Sequence, residues 1–227
     1  CVGVDQPGGY HAYDVFEHTM RTVDASPRNF RVRLAALFHD INKPQAKRPL
    51  TRDGEPAATF YGHESMGART AQQVMRRLKL SNELTKQVAT LVDRHMFTTA
   101  VTDKGMRRLI RKVGVPLIFE LLDLRRADVV AQGMGGTTDD VDEFEASIRE
   151  ELTKKPPFSL RDLAIDGGDV MRILGLTPGP QIGRVLDFLM EQVLDDPNQN
   201  TAERLSELAK EYYESTMDRI NDKESDR

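Results

Sequence analysis

Apolar residues recur along this chain at helical rather than alternating spacing. The segment "YDVFEHTMRTVDA" (13–25) sets Val15, Phe16, Met20 and Val23 on one predicted face. "SPRNFRVRLAALFHD" (26–40) offers Ser26 as an N-cap and Pro27 at the first helical position, where a missing N–H costs nothing. Pro44 is expected to end that helix, because proline disfavours helical backbone at the residue before it. "GHESMGARTAQQVMRRLKL" (62–80) and "SNELTKQVATLVDRHMF" (81–97) predict two more helices, the second capped by Ser81. "PLIFELLDLRRADVVAQG" (116–133) begins at Pro116 and stops at Gly133, which suits a C-terminal cap.

Breaks punctuate this pattern. "RPLTRDGEPAATFY" (48–61) is expected as a loop with a turn at Asp53-Gly54, followed by further breaks at "GMGGTTDD" (133–140) and "TKKPPF" (153–158). Beyond them, "LRDLAIDGGDVMRILG" and "GPQIGRVLDFLMEQVLDD" predict two short helices around "LTPGP", and a charged helix starts at Thr201. No long alternating stretch demands a sheet. The predicted fold class is all-α, a helical bundle with a small helical C-terminal subdomain.

Composition narrows the function classes. With 39% hydrophobic and 30% charged residues in 227, the chain suits a water-soluble protein of one or two domains. No run of eighteen apolar residues exists, so no membrane span or membrane partner is expected. A single cysteine, Cys1, excludes an internal disulfide framework and fits a reducing cytoplasm. A net charge of -4 argues against a globally basic nucleic-acid binder while leaving room for a local basic patch. The start "CVGVDQPGGY" is no signal peptide and lacks an initiator Met, so a segment upstream is expected to be missing.

The candidate chemistry lies in the histidines. There are five, His11, His18, His39, His63 and His95, and the last four fall on or at the edge of four different predicted helices. A fifth helix carries Asp128 on an otherwise apolar face, where a carboxylate needs a partner. In "LAALFHDINKP" (34–44) an apolar run turns abruptly to His39, Asp40, Asn42 and Lys43. Any one of these histidines alone reads best as a surface residue or a hydrogen-bonded core residue. Taken together with Asp40 and Asp128, they would form a nitrogen and oxygen donor set suited to first-row divalent metals.

The ordered set "FEHT", "LAALFHDINKP", "FYGHESMGA", "LVDRHMF" and "LRRADVVAQ" resembles the HD superfamily of metal-dependent phosphohydrolases. More closely, it resembles the HD region of bacterial CCA-adding tRNA nucleotidyltransferases and their poly(A) polymerase relatives. The stretch from Ala164 to Leu205 is similar to the tail that follows that region and helps hold tRNA. The family's nucleotidyltransferase head has no counterpart in these residues, and Asn42 stands where many HD proteins have Gly. The resemblance implies an HD-domain helical bundle over 10–135, a connecting helix and linker over 136–157, and a helical tRNA-binding tail over 158–222.

Carried over position by position, the resemblance implies that His18, His39, Asp40 and Asp128 hold one metal ion. His63 and His95, with Asp40 bridging, would hold a second; the ions could be Mn, Ni, Fe, Co, Mg or Zn. Asp40 and Lys43 would be catalytic, Lys43 and Arg125 would bind phosphate, and His11 would contact substrate or cap the loop before the first helix. The leading expectation is a metal-dependent phosphohydrolase acting on a nucleotide or the tRNA 3′ end, with no nucleotidyl transfer by this chain alone. The alternative is a non-catalytic tRNA-binding body and tail, working with a separate or missing nucleotidyltransferase head. "MRRLIRKVG" (106–114) offers Arg107, Arg108, Arg111 and Lys112 as RNA backbone contacts, or as an ordinary solvated helix face.

Overall fold

A computed structural model of the chain describes residues 1–7, 9, 12–52 and 54–225. It is mostly helical, as the periodicity predicts, and it divides into two compact units. The first comprises Cys1–Ala100 and Val113–Arg149, and the second Val101–Lys112 and Glu150–Arg227. No helix among the described residues is long and apolar enough to cross a membrane.

In the first unit, α1 (Val15–Ala25), α2 (Phe30–Phe38), α5 (Asn82–Arg94) and α7 (Val115–Ala131) pack together, with α4 (His63–Arg77) laid along α5. Between α2 and α4 lie the single-turn α3 (Lys43–Ala46) and the strands β1 (Arg48–Arg52) and β2 (Glu55–Thr59). Val32, Ala71, Met75, Val88, Leu91, Ile118 and Leu121 form the unit's apolar centre. Burying each large aliphatic side chain of this kind contributes about 1.5–3 kcal/mol before conformational entropy is counted. Gly67 lets α4 approach closely, since a Cβ there would sit 3.3 Å from the Phe38 carbonyl oxygen and from Val92 Cγ1.

Several local expectations are corrected. The segment 48–61 is an antiparallel hairpin rather than a loop, with Leu50 opposite Ala57 and Thr51 opposite Pro56. Its strands mix Arg, Pro and Ala without apolar alternation, so no periodic signal marks them; Gly54, at φ 86°, supplies the left-handed backbone of the turn. Asn29, not Ser26, caps α2: its Oδ1 accepts from the Arg31 and Val32 amides, whereas Ser26 terminates α1. Pro44 does not end α2, which stops at Phe38; it sits in the first turn of α3, where its missing N–H is harmless. On α1 the buried face is Val15, His18, Thr19 and Thr22, leaving Phe16 45% exposed.

The Ser81 cap and the Pro116 start appear as read: Ser81 Oγ accepts from the Leu84 amide at 3.2 Å, and Pro116 lies in the first turn of α7. Gly133 follows α7 with φ 72°, a conformation glycine adopts without strain. α8 (Asp139–Thr153) buries Val141, Phe144 and Ile148.

The second unit contains α6 (Asp103–Val113), α9 (Gly167–Leu174), α10 (Pro180–Asp195) and α11 (Ala202–Ser225). Leu163, Val170, Val185, Leu189, Met190, Val193 and Leu205 form its core, with Phe188 stacked on Tyr212 at 4.3 Å between ring centroids. The segment 160–175 is not one helix. A 3-10 turn at Leu160–Asp162 precedes α9, whose N-cap Asp166 accepts from the Gly168 and Asp169 amides.

Candidate metal centre

The six residues singled out in the sequence meet inside the first unit, and most arrive from helix ends. His18 lies within α1 and points inward. His39 caps the C-terminus of α2, Asp40 follows it, and Lys43 opens α3. His63 is the first residue of α4, His95 caps the C-terminus of α5, and Asp128 is in the last turn of α7. All are buried.

The donor atoms form two overlapping groups that share Asp40, one with His18 and His39, the other with His63 and His95. Asp40 Oδ2 is 3.2 Å from His39 Nε2 and 3.6 Å from His18 Nε2. Its Oδ1 is 3.3 Å from His63 Nε2 and 3.8 Å from His95 Nε2. Asp128 Oδ1 lies 3.0 Å from His18 Nε2 and 3.7 Å from His39 Nε2. Asp40 therefore divides its two oxygens between two pairs of imidazoles.

Tautomers follow from the backbone. Nδ1 of His39 is 2.7 Å from the Ala36 carbonyl, that of His63 2.7 Å from Phe60, and that of His95 2.8 Å from Val92. A carbonyl only accepts, so each Nδ1 carries the proton, and each neutral ring turns an Nε2 lone pair to the centre. Yet the Nε2 atoms of His63 and His95 are only 3.2 Å apart. Two facing lone pairs at that distance repel unless a proton or a metal cation lies between them. Both oxygens of Asp40 are buried with no well-directed hydrogen bond, although Lys43 Nζ lies 2.7 Å from Oδ2. The residues present thus fit a divalent cation, and nitrogen-rich donors of this kind favour a transition metal over Mg or Ca.

The electrostatics agree. Burial works against the Asp40 carboxylate, but His39 and Lys43 outweigh it and hold its pKa well below the usual range. Asp128 is likewise depressed: burial opposes its charge, while His18 and His39 stabilise it. Burial disfavours a charged His39, and Asp40 outweighs that to raise its pKa. His95, buried and repelled by His39, falls to about 3 and stays a neutral donor.

Lys43 also donates to Gln6 Oε1 at 2.7 Å, and Gln6 Nε2 donates to the Tyr13 carbonyl at 3.3 Å. Nothing in the sequence marks Gln6, a lone amide in an irregular N-terminal stretch. A cavity of about 350 Å³ opens beside this corner, lined by Gln6, Lys43, Phe60, Tyr61, His63 and Met96. Arg125 is drawn to Asp128 Oδ2 at 3.2 Å. His11 lies outside the described residues.

The arginines of the basic helix α6 are engaged within their own unit, while Lys112 is exposed. Arg107 is buried, donating to Glu151 at 2.8 Å and to the Leu194 and Asp195 carbonyls at the end of α10. Arg108 pairs with Glu191, and Arg111 with Asp187 and Glu191. These arginines are internal ties of the second unit.

Comparison with known proteins places this chain in a family. Residues 57–209 match the model described as tRNA nucleotidyltransferase domain 2, putative. The A-adding tRNA nucleotidyltransferase of Deinococcus radiodurans is 33% identical over 199 residues, which cover 81% of this chain and 43% of the relative. The CC-adding tRNA nucleotidyltransferase of Thermus thermophilus is 35% identical over 201 residues, covering 84% and 43%. A CCA-adding enzyme of Streptococcus gordonii is 26% identical over 144 residues. The chain thus spans less than half the length of these relatives.

These names correct the enzymatic expectation. Each of these relatives is named for adding nucleotides to tRNA and none as a hydrolase, so the expectation of an HD-type phosphohydrolase is set aside. The error has a physical root: a donor set specifies what can be bound, not which reaction follows. With residues 57–209 matched, the chain belongs to the tRNA nucleotidyltransferase family, as a copy of its second domain.

Proposed function

We propose that this chain is the tRNA-holding helical portion of a tRNA nucleotidyltransferase, serving the addition of nucleotides to the tRNA 3′ end. The observation that carries this reading is the family match over 57–209, which runs through residues of both units and stands beside the similarity to relatives named for A, CC and CCA addition. Nucleotide addition itself falls to a head with its own carboxylate pair, and the tail over 158–222 grips tRNA.

Within this role, His18, His39, Asp40 and Asp128 would hold one divalent ion, and His63, His95 and Asp40 another. When bound, such an ion supplies a positive centre that a nucleotide or RNA phosphate can approach. Lys43 balances Asp40 and faces the adjoining cavity, where it meets an incoming phosphate as a point charge. Gln6 keeps that ammonium in place, and Arg125 steadies Asp128.

Fluorescence anisotropy with a tRNA lacking its 3′-terminal nucleotides tests the reading. The full chain should bind it at least about tenfold more tightly than an unrelated RNA hairpin of equal length, a difference of about 1.4 kcal/mol. Equal affinity for the two RNAs would overturn it. Elemental analysis should find one or two divalent ions per chain, and their absence after loading with Mn, Ni, Co or Zn would remove the metal assignment.

A further inference from the structure

A groove of about 490 Å³ is lined by Gln45, Arg48, Tyr61, Ser65, Met66 and Arg69. Tyr61 and Gly62 line both it and the cavity beside Lys43. Tyr61 is 87% exposed, on a turn whose next residue, Gly62, has φ 79°. No ring contact or hydrogen bond engages the Tyr61 side chain among the described residues. An aromatic face so presented is a stacking platform awaiting a flat partner.

The charges around it are also uncommitted. Arg69 makes no hydrogen bond or ion pair among the described residues, and Arg48 donates only to the nearby Gln45 and Lys47 carbonyls. Seven and eight residues beyond Arg69, two helical turns on along α4, Arg76 and Arg77 are exposed and equally unpaired. Glu64, at the start of α4, is that helix's one acid. Asp93 accepts from the groove-lining Ser65 at 2.9 Å and pairs with Arg94 at 3.1 Å. The contrast with α6 is direct: there three arginines are spent on carboxylates and carbonyls of their own unit, whereas on α4 they face solvent without partners in a chain of net charge -4.

We propose that Arg48, Tyr61 and Arg69 form a subsite for one nucleotide of a single-stranded RNA end, its base stacked on Tyr61 and its phosphate between the two guanidiniums. The strand continues along α4 past Arg76 and Arg77. Stacking on an exposed aromatic beside a basic track suits single-stranded RNA because every base offers a π face, while the arginines follow the backbone without reading sequence. This subsite deepens the tRNA-holding role proposed above, naming the part of the chain that takes an unpaired end.

The test is the full chain's binding of a 3′-labelled single-stranded hexanucleotide and of the shortened tRNA, by anisotropy across a salt series. Tyr61→Ala should weaken hexanucleotide binding about tenfold, and Tyr61→Phe should restore it, since the ring and not the hydroxyl stacks. Arg69→Ala should lower the slope of log affinity against log salt by about 0.7, the loss of one phosphate contact on a single strand. Arg149→Ala, an exposed arginine of α8 outside the tail, should change neither. Tyr61→Ala binding like wild type, or Arg149→Ala weakening binding as much as Arg69→Ala, would overturn the subsite. If the hexanucleotide depends on Tyr61 but tRNA binds no better than unrelated RNA, the subsite stands and the tRNA reading falls. If tRNA is preferred without any Tyr61 dependence, the reverse holds.

Discussion

The interiors of the two units are made of different materials. The first encloses four imidazoles, three carboxylates and an ammonium among its packed helices. The second is built from leucine, isoleucine, valine and methionine, and its buried charges among the described residues are Arg107 and Glu151. In an apolar interior every buried side chain adds to stability. In a polar one each desolvated charge opposes folding until something of opposite sign answers it. The Arg107 charge is answered within the fold, by Glu151 and two helix-end carbonyls. The converging lone pairs of His63 and His95 are not, and they leave a role for a cation from outside.

That contrast can be broken most forcefully in the second unit. Arg107→Ala leaves the buried Glu151 with only the exposed Lys154 and frees the last carbonyls of α10, and should cost about 3 kcal/mol in urea denaturation. Replacing Arg107 and Glu151 together by Met should recover most of the loss. A double variant as unstable as the single one would mean the ion pair is not what holds this corner.

A smaller effect separates the two interiors. At a divalent metal concentration one hundred times its Kd, the first unit should gain about 2.7 kcal/mol from binding, seen as a raised melting temperature. Asp40→Asn, which weakens the shared ligand of both donor groups, should abolish that gain. A metal-dependent shift persisting in Asp40→Asn would show that the ion binds elsewhere.

The smallest effect is a dependence on pH. Burial raises the Glu151 pKa, but Arg107 and Lys154 outweigh it, so its folded value lies below the ordinary 4.5. Between those two values the unfolded chain binds more protons, so the stability owed to this carboxylate is complete above about pH 4.5 and is lost as pH falls through the folded value. The stability difference between wild type and Glu151→Gln should therefore shrink on acidification below pH 4.5. A difference that stays flat would remove Glu151 from the acid response.

The sequence makes the helices legible and their orientation less so. On α1 the apolar positions point to a face through Val15, Phe16, Met20 and Val23, of which Val15 alone is fully buried. The helix turns instead to bury His18, Thr19 and Thr22, because the inward residue there is a polar one chosen for the centre. Periodicity weighs hydrophobicity and has no means of recognising a histidine that belongs inside. Convergence of the histidines and aspartates was readable from their order along the chain, whereas Gln6 was not, since its role arises only when the N-terminal stretch folds back on Lys43. Nor could spacing along α6 say that its arginines would be taken by acids some eighty residues away.

The placement of the donors at helix ends has a consequence for how the protein moves. His39 and His95 close α2 and α5, His63 opens α4, and Asp128 lies in the last turn of α7. Helix termini are the first parts of a fold to open, so two ions held by these four ends and joined through Asp40 would act as a clasp on local breathing. Hydrogen exchange should report it: amides around residues 39–43, 63–66 and 93–95 should exchange more slowly in metal-loaded protein than after chelation, while those of α10 keep one rate.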